Sequence, residues 1–346
     1  MHDVFLITFE KNSDMRKNIH EILRSRAAQN GGKMSFRDFS EIALFDPEFG
    51  YYRRARERVG RNAGTDFYTA ASLGGIFGKL MRHAAQNLLS ETENLRDYTL
   101  VEIGAEPGQT HFENERQFFR EIRTVRVGEN FEIPEKSVVV ANELLDAQPF
   151  HRIVSHAGTW IEIGVEENPD APETWRETRL DELSSPALKS FAEKTAVPAD
   201  DGWHLDISLD AETLLQKILG GSWRGAAIFP DYGKTLADCL DTFPEGTARA
   251  YFRHTQSNAL TQDPGERDLT CHVLWDRLRA VFDACGFRSS PPLRQESFFM
   301  KYALRGVEEI LTGTTPEAAR ERGKLVELIH PAKMGHAFQV LCGVRK

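Results

Sequence analysis

No apolar run in this sequence approaches the roughly 20 residues that a membrane-spanning helix needs. The Val4–Phe9 run is short and follows Asp3 rather than a basic region, so it does not read as a signal peptide. Membrane insertion is therefore not expected, and a cytoplasmic location is. Cysteine is sparse: Cys239, Cys271, Cys285 and Cys342 include no Cys-x-x-Cys pair. Adjacent Cys271 and His272 do not form a useful chelating pair, so neither a disulfide framework nor a metal site is implied. Positive charge is also short, the net charge being −9. That excludes a general nucleic-acid binder, which would carry a basic surface. The cluster Arg53, Arg54, Arg56, Arg58 and Arg61 is a local exception, read as a solvated loop or a partner for nearby acids. Gly-x-Ser-x-Gly, a Walker loop and His-Glu-x-x-His are all absent, which leaves hydrolase, NTPase and zincin chemistry unsupported. There is no internal repeat and no low-complexity tract.

What remains is an ordinary globular composition over 346 residues, 40% apolar and 27% charged, enough for one large domain or two modest ones. The chain is organised around Tyr98–Thr110. Leu100, Val101 and Ile103 read as a buried parallel strand that breaks at Gly104 and Gly108. A buried strand ending in a glycine loop and leading into a helix is a cradle for a nucleotide-like ligand. Glu102, inside that strand, requires a polar partner. Two further apolar strands, Ser137–Ala141 and Ala226–Phe229, end in the polar loops Asn142–Asp146 and Asp231–Gly233. Parallel strands of one sheet bring such loops to a common edge, where open α/β folds bind ligands.

Helices are expected at Met15–Gln29, after an N-cap at Ser35, at Phe77–Leu89, Phe112–Ile122, Ser185–Lys194, Asp210–Leu219, Leu269–Cys285, Met300–Leu311 and Pro316–Ile329. Strands are expected at Thr124–Val127, Leu293–Phe298 and Ala337–Val344, and a hairpin at His151–Val154 and Thr159–Val165. This rhythm is interrupted over 151–222, read as an inserted lobe, which leaves an N-terminal region (1–90) and a core (91–150 and 223–346).

If a helical turn follows the Ser137–Ala141 strand, Glu143 and Asp146 share one face and could hold a cationic substrate. The competing reading is a capping cluster, with Asn142 as the cap. Asp231-Tyr232 reads equally as a strand-terminating turn, Asp268 as the N-cap of the helix beyond it, and His272 as a structural histidine.

Taken together, several stretches resemble the MidA family of methyltransferases that use S-adenosylmethionine. The marks are Ala43–Tyr52, Gly64–Thr69 with Phe77-Gly78, Val101-Glu-Ile-Gly104, Ala141–Pro149, Asp231-Tyr-Gly233, Gly246–Tyr251 with His254, Asp263-Pro-Gly265, Asp268–Val273 and Pro331–Gly335. The resemblance runs from about Phe36 to the end. It implies an α/β class I methyltransferase, Rossmann-like, with a mostly parallel sheet, an N-terminal helical cap and an inserted lobe. It implies S-adenosyl-L-methionine as cofactor, held by Glu102, Gly104, Glu106, Gly108, Asp66, Tyr68, Thr69 and Asn142. Glu143, Asp146 and Asn142 are the implied catalytic residues, and Asp231, Tyr232, His254, Asp268 and His272 the substrate-binding ones. The family's mitochondrial members act on protein arginine, so the implied partner is a protein substrate, a respiratory-complex subunit being one candidate; a homodimer is a further expectation. Two departures stand out. Glu106 occupies the position of a loop glycine, and the stretch of about 30 residues between Gly108 and Ser137 is too short for helix, strand, helix and strand. The second strand and its acid are expected to be shortened or lost, with Glu129 a substitute. An alternative function follows: a methyltransferase fold kept as a non-catalytic assembly or binding factor.

Overall fold

The computed structural model describes residues 19–54, 73–90, 92–198 and 200–346. Arg56, Arg58 and Arg61, and the Gly64–Thr69 stretch with Asp66, Tyr68 and Thr69, lie outside the described residues. The chain forms two compact units: Met1–Arg56, Ala147–Ala211 and Lys234–His272 make one, and Glu57–Asp146, Glu212–Gly233 and Val273–Lys346 the other. The hairpin expected in an inserted lobe thus shares a unit with the helix that follows Ser35.

The second unit is built on seven strands: β1 (Thr99–Ile103), β2 (Glu121–Val125), β3 (Lys136–Val140), β4 (Arg224–Asp231), β5 (Arg288–Ser289), β6 (Leu293–Arg294) and β7 (Gln339–Arg345). Among the described residues their order is β5-β7-β4-β3-β1-β2, with β6 also on β7. Strands β2, β1, β3 and β4 run parallel. Val138, Val139, Ala226, Ala227 and Ile228 are fully buried, as central strands covered on both faces require. β7 is antiparallel to β4 along seven residue pairs, and β5 and β6 are antiparallel to β7. The sheet is therefore mixed rather than mostly parallel. A short apolar run reads the same in either direction, so periodicity did not reveal this.

The second strand, expected to be shortened or lost, is present at full pairing. β2 pairs with β1 over all five residues, Thr99 opposite Glu121 to Ile103 opposite Val125. What the chain omits is the helix before it. Instead of a helix over Phe112–Ile122 there is a 3-10 helix at Glu113–Phe118, and residues 126–135 carry no helix. Removing helices, rather than the strand, is how the short segment fits.

One face of the sheet is covered by α1 (Gly75–Leu89), which contributes Phe77, Leu80, Met81, Ala84 and Ala85 to a core shared with Phe298, Val307, Ile310 and Leu328. Elsewhere in this unit α2 (Trp275–Ala284) packs Phe282 on Phe229 at 5.8 Å between ring centroids. The expected helix over Leu269–Cys285 begins only at Trp275, because Asp268–Thr270 pairs as a strand with Arg249–Tyr251. Leu293–Phe298 is a strand for two residues and then becomes α3 (Gln295–Tyr302). Ala303 breaks the expected continuous helix, and α4 (Leu304–Thr312) and α5 (Pro316–Ile329) follow, the last capped by Thr315 with Pro at its first turn.

The first unit holds an antiparallel sheet of His151–His156, Thr159–Glu167, Lys33–Ser35, Trp175–Arg179 and His204–Ile207. Lys33–Ser35, Trp175–Arg179 and His204–Ile207 were not expected as strands from sequence. Ala157 (φ 49°) and Gly158 (φ 74°) turn the hairpin with the twist that left-handed residues supply. Ser35 Oγ accepts from Asp38 N and caps Phe36–Phe45 as expected. A fully buried carboxylate, Asp206, binds the unit together: it accepts from Arg152 Nε at 2.8 Å, Thr247 N at 2.6 Å and Ala248 N at 2.8 Å. Arg152, itself buried, also pairs with Glu177. Replacing Asp206 by Ala leaves a buried guanidinium and two amides without their acceptor. The expected loss is about 3–5 kcal/mol in urea denaturation. A loss below about 1 kcal/mol would mean that the network is solvated.

Candidate functional site

The site begins where β1 ends. Glu102 is 3% exposed in the middle of the second unit's sheet. It accepts from Thr110 Oγ1 at 2.5 Å and from His111 N at 3.1 Å, and His111 Nδ1 closes on its other side. Burial raises the Glu102 pKa, but the His111 and Thr110 hydrogen bonds outweigh it, so the carboxyl lies below the ordinary glutamate value. The carboxylate thus draws residues 110–111 back to the strand and closes Gly104–Gln109 into a loop. Thr110 and His111 were missed from sequence; the signal was Glu102 itself, a buried acid in search of donors.

Within the loop, Gly104 (φ 85°) and Gly108 (φ 70°) adopt left-handed conformations that side chains rarely take. Gly104 N donates to Val125 O at 2.9 Å, which ties the loop to β2. A Cβ on Gly104 would meet Leu144 at 3.1 Å, whereas one on Gly108 would meet nothing within 4 Å among the described residues. Gly78, in α1, lets the helix lie on the loop's return: a Cβ there would sit 2.1 Å from His111 O. No α-helix follows the loop directly, so the expected helix N-terminus is not part of this cradle. Glu106 is half-buried in the loop. Glu129 does not extend toward the loop; its carboxylate accepts from Arg126 N at 2.8 Å in its own turn.

Against this loop lies the segment after β3. It is not helical, so Asn142 caps nothing and Glu143 and Asp146 do not share a helix face. Glu143 instead has φ 50°, its N donating to Pro230 O at 3.0 Å. A non-glycine residue held in that region stores strain, which functional sites commonly tolerate. Asn142 Nδ2 donates to Glu143 Oε1 at 2.8 Å. Asn142 Oδ1 is buried and accepts from no donor among the described residues. A buried acceptor left in this way is costly unless a ligand supplies its donor.

Asp146 is turned inward. Asp231, at the end of β4 and 1% exposed, accepts from Leu145 N at 2.9 Å, from Asp146 N at 3.4 Å and from Tyr232 N at 2.8 Å. Burial pushes the Asp231 pKa up to about 6, against the lowering effect of these amides and of a hydrogen bond with the Asp146 side chain. The two acids therefore form a buried carboxyl pair that fixes the Asn142–Asp146 loop to β4. Tyr232 packs its ring on Phe338 at 4.1 Å. Glu102, Gly104, Gly108, Asn142, Glu143, Asp146 and Asp231 are thus gathered in one unit.

The remaining sequence candidates lie in the first unit. His254 (φ 61°) is exposed in the turn between Arg249–Phe252 and Thr255–Ser257. Asp268 is buried in a strand rather than capping a helix, and accepts from Tyr52 OH at 2.8 Å. His272 is half-buried, its N donating to Thr247 Oγ1 at 3.2 Å.

Residues 73–293 match the model of a family described as "Putative S-adenosyl-L-methionine-dependent methyltransferase". The chain is 24% identical to the protein arginine methyltransferase NDUFAF7, mitochondrial, of Danio rerio, with 95% of this chain and 87% of that protein covered. It is 23% identical to the mitochondrial homolog of Drosophila melanogaster, with 90% and 81% covered. Its fold is similar to the crystal structure of a Burkholderia thailandensis protein bound to S-adenosyl-homocysteine: TM-score 0.81 at 21% identity, with 97% of this chain and 94% of that one covered. The architecture is a methyltransferase-like fold with a mixed sheet. The cytoplasmic expectation is corrected, since these relatives are mitochondrial proteins. A missing apolar run in this sequence had excluded only a membrane span and had no bearing on compartment.

The Asp231 carboxyl gives a pH signature. Its folded pKa lies above the unfolded value of 3.8, so between about pH 4 and 6 the folded state holds more protons than the unfolded. The contribution of this group is full at low pH and falls as pH rises through about 6. Asp231→Asn cannot ionise, so its stability relative to the parent should increase between pH 4.5 and 7 in urea titrations. A pH-independent difference would show that Asp231 is not the group that retains the proton.

Proposed function

We propose, since this chain belongs to the family of S-adenosyl-L-methionine-dependent methyltransferases whose model it matches, that it methylates a protein side chain, with arginine as the acceptor. When bound, S-adenosyl-L-methionine supplies an electrophilic methyl group on a sulfonium ion. The residues present suit that group. Gly104 and Gly108 leave backbone bare at the sheet edge, with nothing within 4 Å of a Gly108 Cβ among the described residues, and Asn142 Oδ1 is a buried acceptor with no donor among them. Gly104, Gly108 and Asn142 are the residues that would hold it.

The observation that carries the reading is the Asn142–Glu143 pair. Glu143 is half-buried, strained at φ 50° and oriented by the Asn142 amide. A guanidinium remains protonated at ordinary pH and is a poor nucleophile in that form. A fixed carboxylate orients it through charge-assisted hydrogen bonds and takes up the proton that leaves nitrogen as the new bond forms. Glu143 fills that role. Asp146 and Asp231, turned toward each other, act as positioning residues that hold the loop. Arginine as acceptor is supported by the names of the relatives, which are protein arginine methyltransferases. The non-catalytic alternative drew on Glu106 in the loop and on a shortened or lost second strand, and of these β2 is in place.

Calorimetric titration with S-adenosyl-L-methionine should give saturable heat. Absence of both heat and a melting shift at millimolar cofactor would sink the reading. Gly104→Val should abolish binding, because its side chain meets Leu144 and its φ of 85° disfavours any β-branched residue. Glu143→Ala should retain cofactor binding and lose about 10²–10⁴-fold in methyl transfer to arginine-containing peptides, read by mass spectrometry. Undiminished transfer by that variant would refute the role given to Glu143.

A further inference from the structure

Within the first unit, three nitrogen-bearing side chains, those of Lys234, Arg249 and His272, lie near one another. Lys234 Nζ lies 5.7 Å from the centre of the Phe243 ring. The His272 ring stands edge-on to the same phenyl group, 6.0 Å away at 75°. Arg249 pairs across the three-stranded sheet with Thr270, and His272 N donates to Thr247 Oγ1, two residues before Arg249, at 3.2 Å. Lys234, Phe243, Arg249 and His272 are half-buried.

The hydrogen-bonding account of this patch does not close. Lys234 and Arg249 form no ion pair among the described residues, although the protein carries a net charge of −9. Arg249 uses Nη1 on the carbonyls of Gly246 and Ala248, at 3.3 and 2.6 Å, while its Nε and Nη2 have no protein acceptor there. His272 Nδ1 is buried and has no partner among the described residues. The acid whose charge reaches His272 is Asp206, and it is occupied by Arg152 and two backbone amides. Burial, and then the charges of Lys234 and Arg249, push the His272 pKa down to about 4. Two cations beside an uncharged imidazole, recessed from solvent, with the nearby acids Asp206 and Asp238 taken up by other donors, are what an oxyanion would complete.

We propose that Lys234, Arg249 and His272 form an oxyanion-binding site, taking a phosphate or carboxylate group either free or on an acidic side chain of a bound protein. The site does not depend on methyl transfer or on the cofactor, so it stands or falls separately from the activity proposed above. The ligand's oxygens accept from Lys234 Nζ and from the free edge of the Arg249 guanidinium, and its charge favours a proton on His272.

The test uses the full chain, with inorganic phosphate as the first probe. The melting temperature should rise with phosphate in a saturable manner, and Lys234→Ala should weaken the half-saturating concentration at least tenfold. Sodium chloride at matched ionic strength controls for screening. Because Arg249→Ala also removes contacts to two carbonyls and could disturb the fold, the second measurement uses the unaltered protein: the His272 imidazole pKa, followed by NMR, should rise on addition of phosphate. A phosphoserine peptide and its glutamate counterpart then separate sources, competition with phosphate by either one indicating a side-chain ligand and competition by neither a free anion. An equal melting response in the parent and Lys234→Ala, or a His272 pKa unmoved by saturating phosphate, would overturn the proposal.

Discussion

A carboxylate buried in the middle of a sheet must find donors, and Glu102 is the constraint on which the candidate site rests. It lies between two strands whose backbones are already paired, so its donors have to come from beyond the strand's end. Thr110 and His111 supply them, and in doing so bring the chain back over the strand it has just left. The glycine loop follows from that return. Gly104 and Gly108 take the left-handed conformations that a loop of this length demands, and Gly78 allows α1 to lie directly on the returning backbone.

Asp231 plays the corresponding part at β4. Its oxygens collect the amides of Leu145, Asp146 and Tyr232, so the segment after β3 is held by a neighbouring strand rather than by a helix of its own. This leaves Asn142 and Glu143 projecting from an irregular backbone, one with a buried unsatisfied acceptor and the other in a strained conformation. Two interior acids thus support the loops that a ligand would meet. Their opposite pKa directions come from one balance: burial raises both, and at Glu102 His111 and Thr110 outweigh it, whereas at Asp231 the amides and Asp146 do not.

The shortened stretch between Gly108 and β3 illustrates how a length argument fails. The residue count was correct, and two helices and two strands do not fit. The inference that a strand was shortened or lost assumed that crossovers between parallel strands need α-helices. Here a six-residue 3-10 helix and an irregular segment make both connections. The helix expected over Leu269–Cys285 failed for a related reason: apolar residues at helical spacing continued into a segment whose amides were taken by a strand pairing.

By itself the sequence determined the apolar strands at β1, β3 and β4, the hairpin after His151, the cap at Ser35, the first-turn Pro316, and the family. These are set by short-range patterning, which a chain carries in its own order of residues. It also named Glu102, Asn142, Glu143 and Asp231 as residues that matter. Only the tertiary structure decided what each of them does. Glu102 and Asp231 became loop anchors because amides distant in sequence reached them, Asp146 turned inward to Asp231, and Asp268 left its expected cap for a strand. Buried polar side chains take their roles from the donors that surround them, and those donors come from elements whose meeting is fixed only when the core closes.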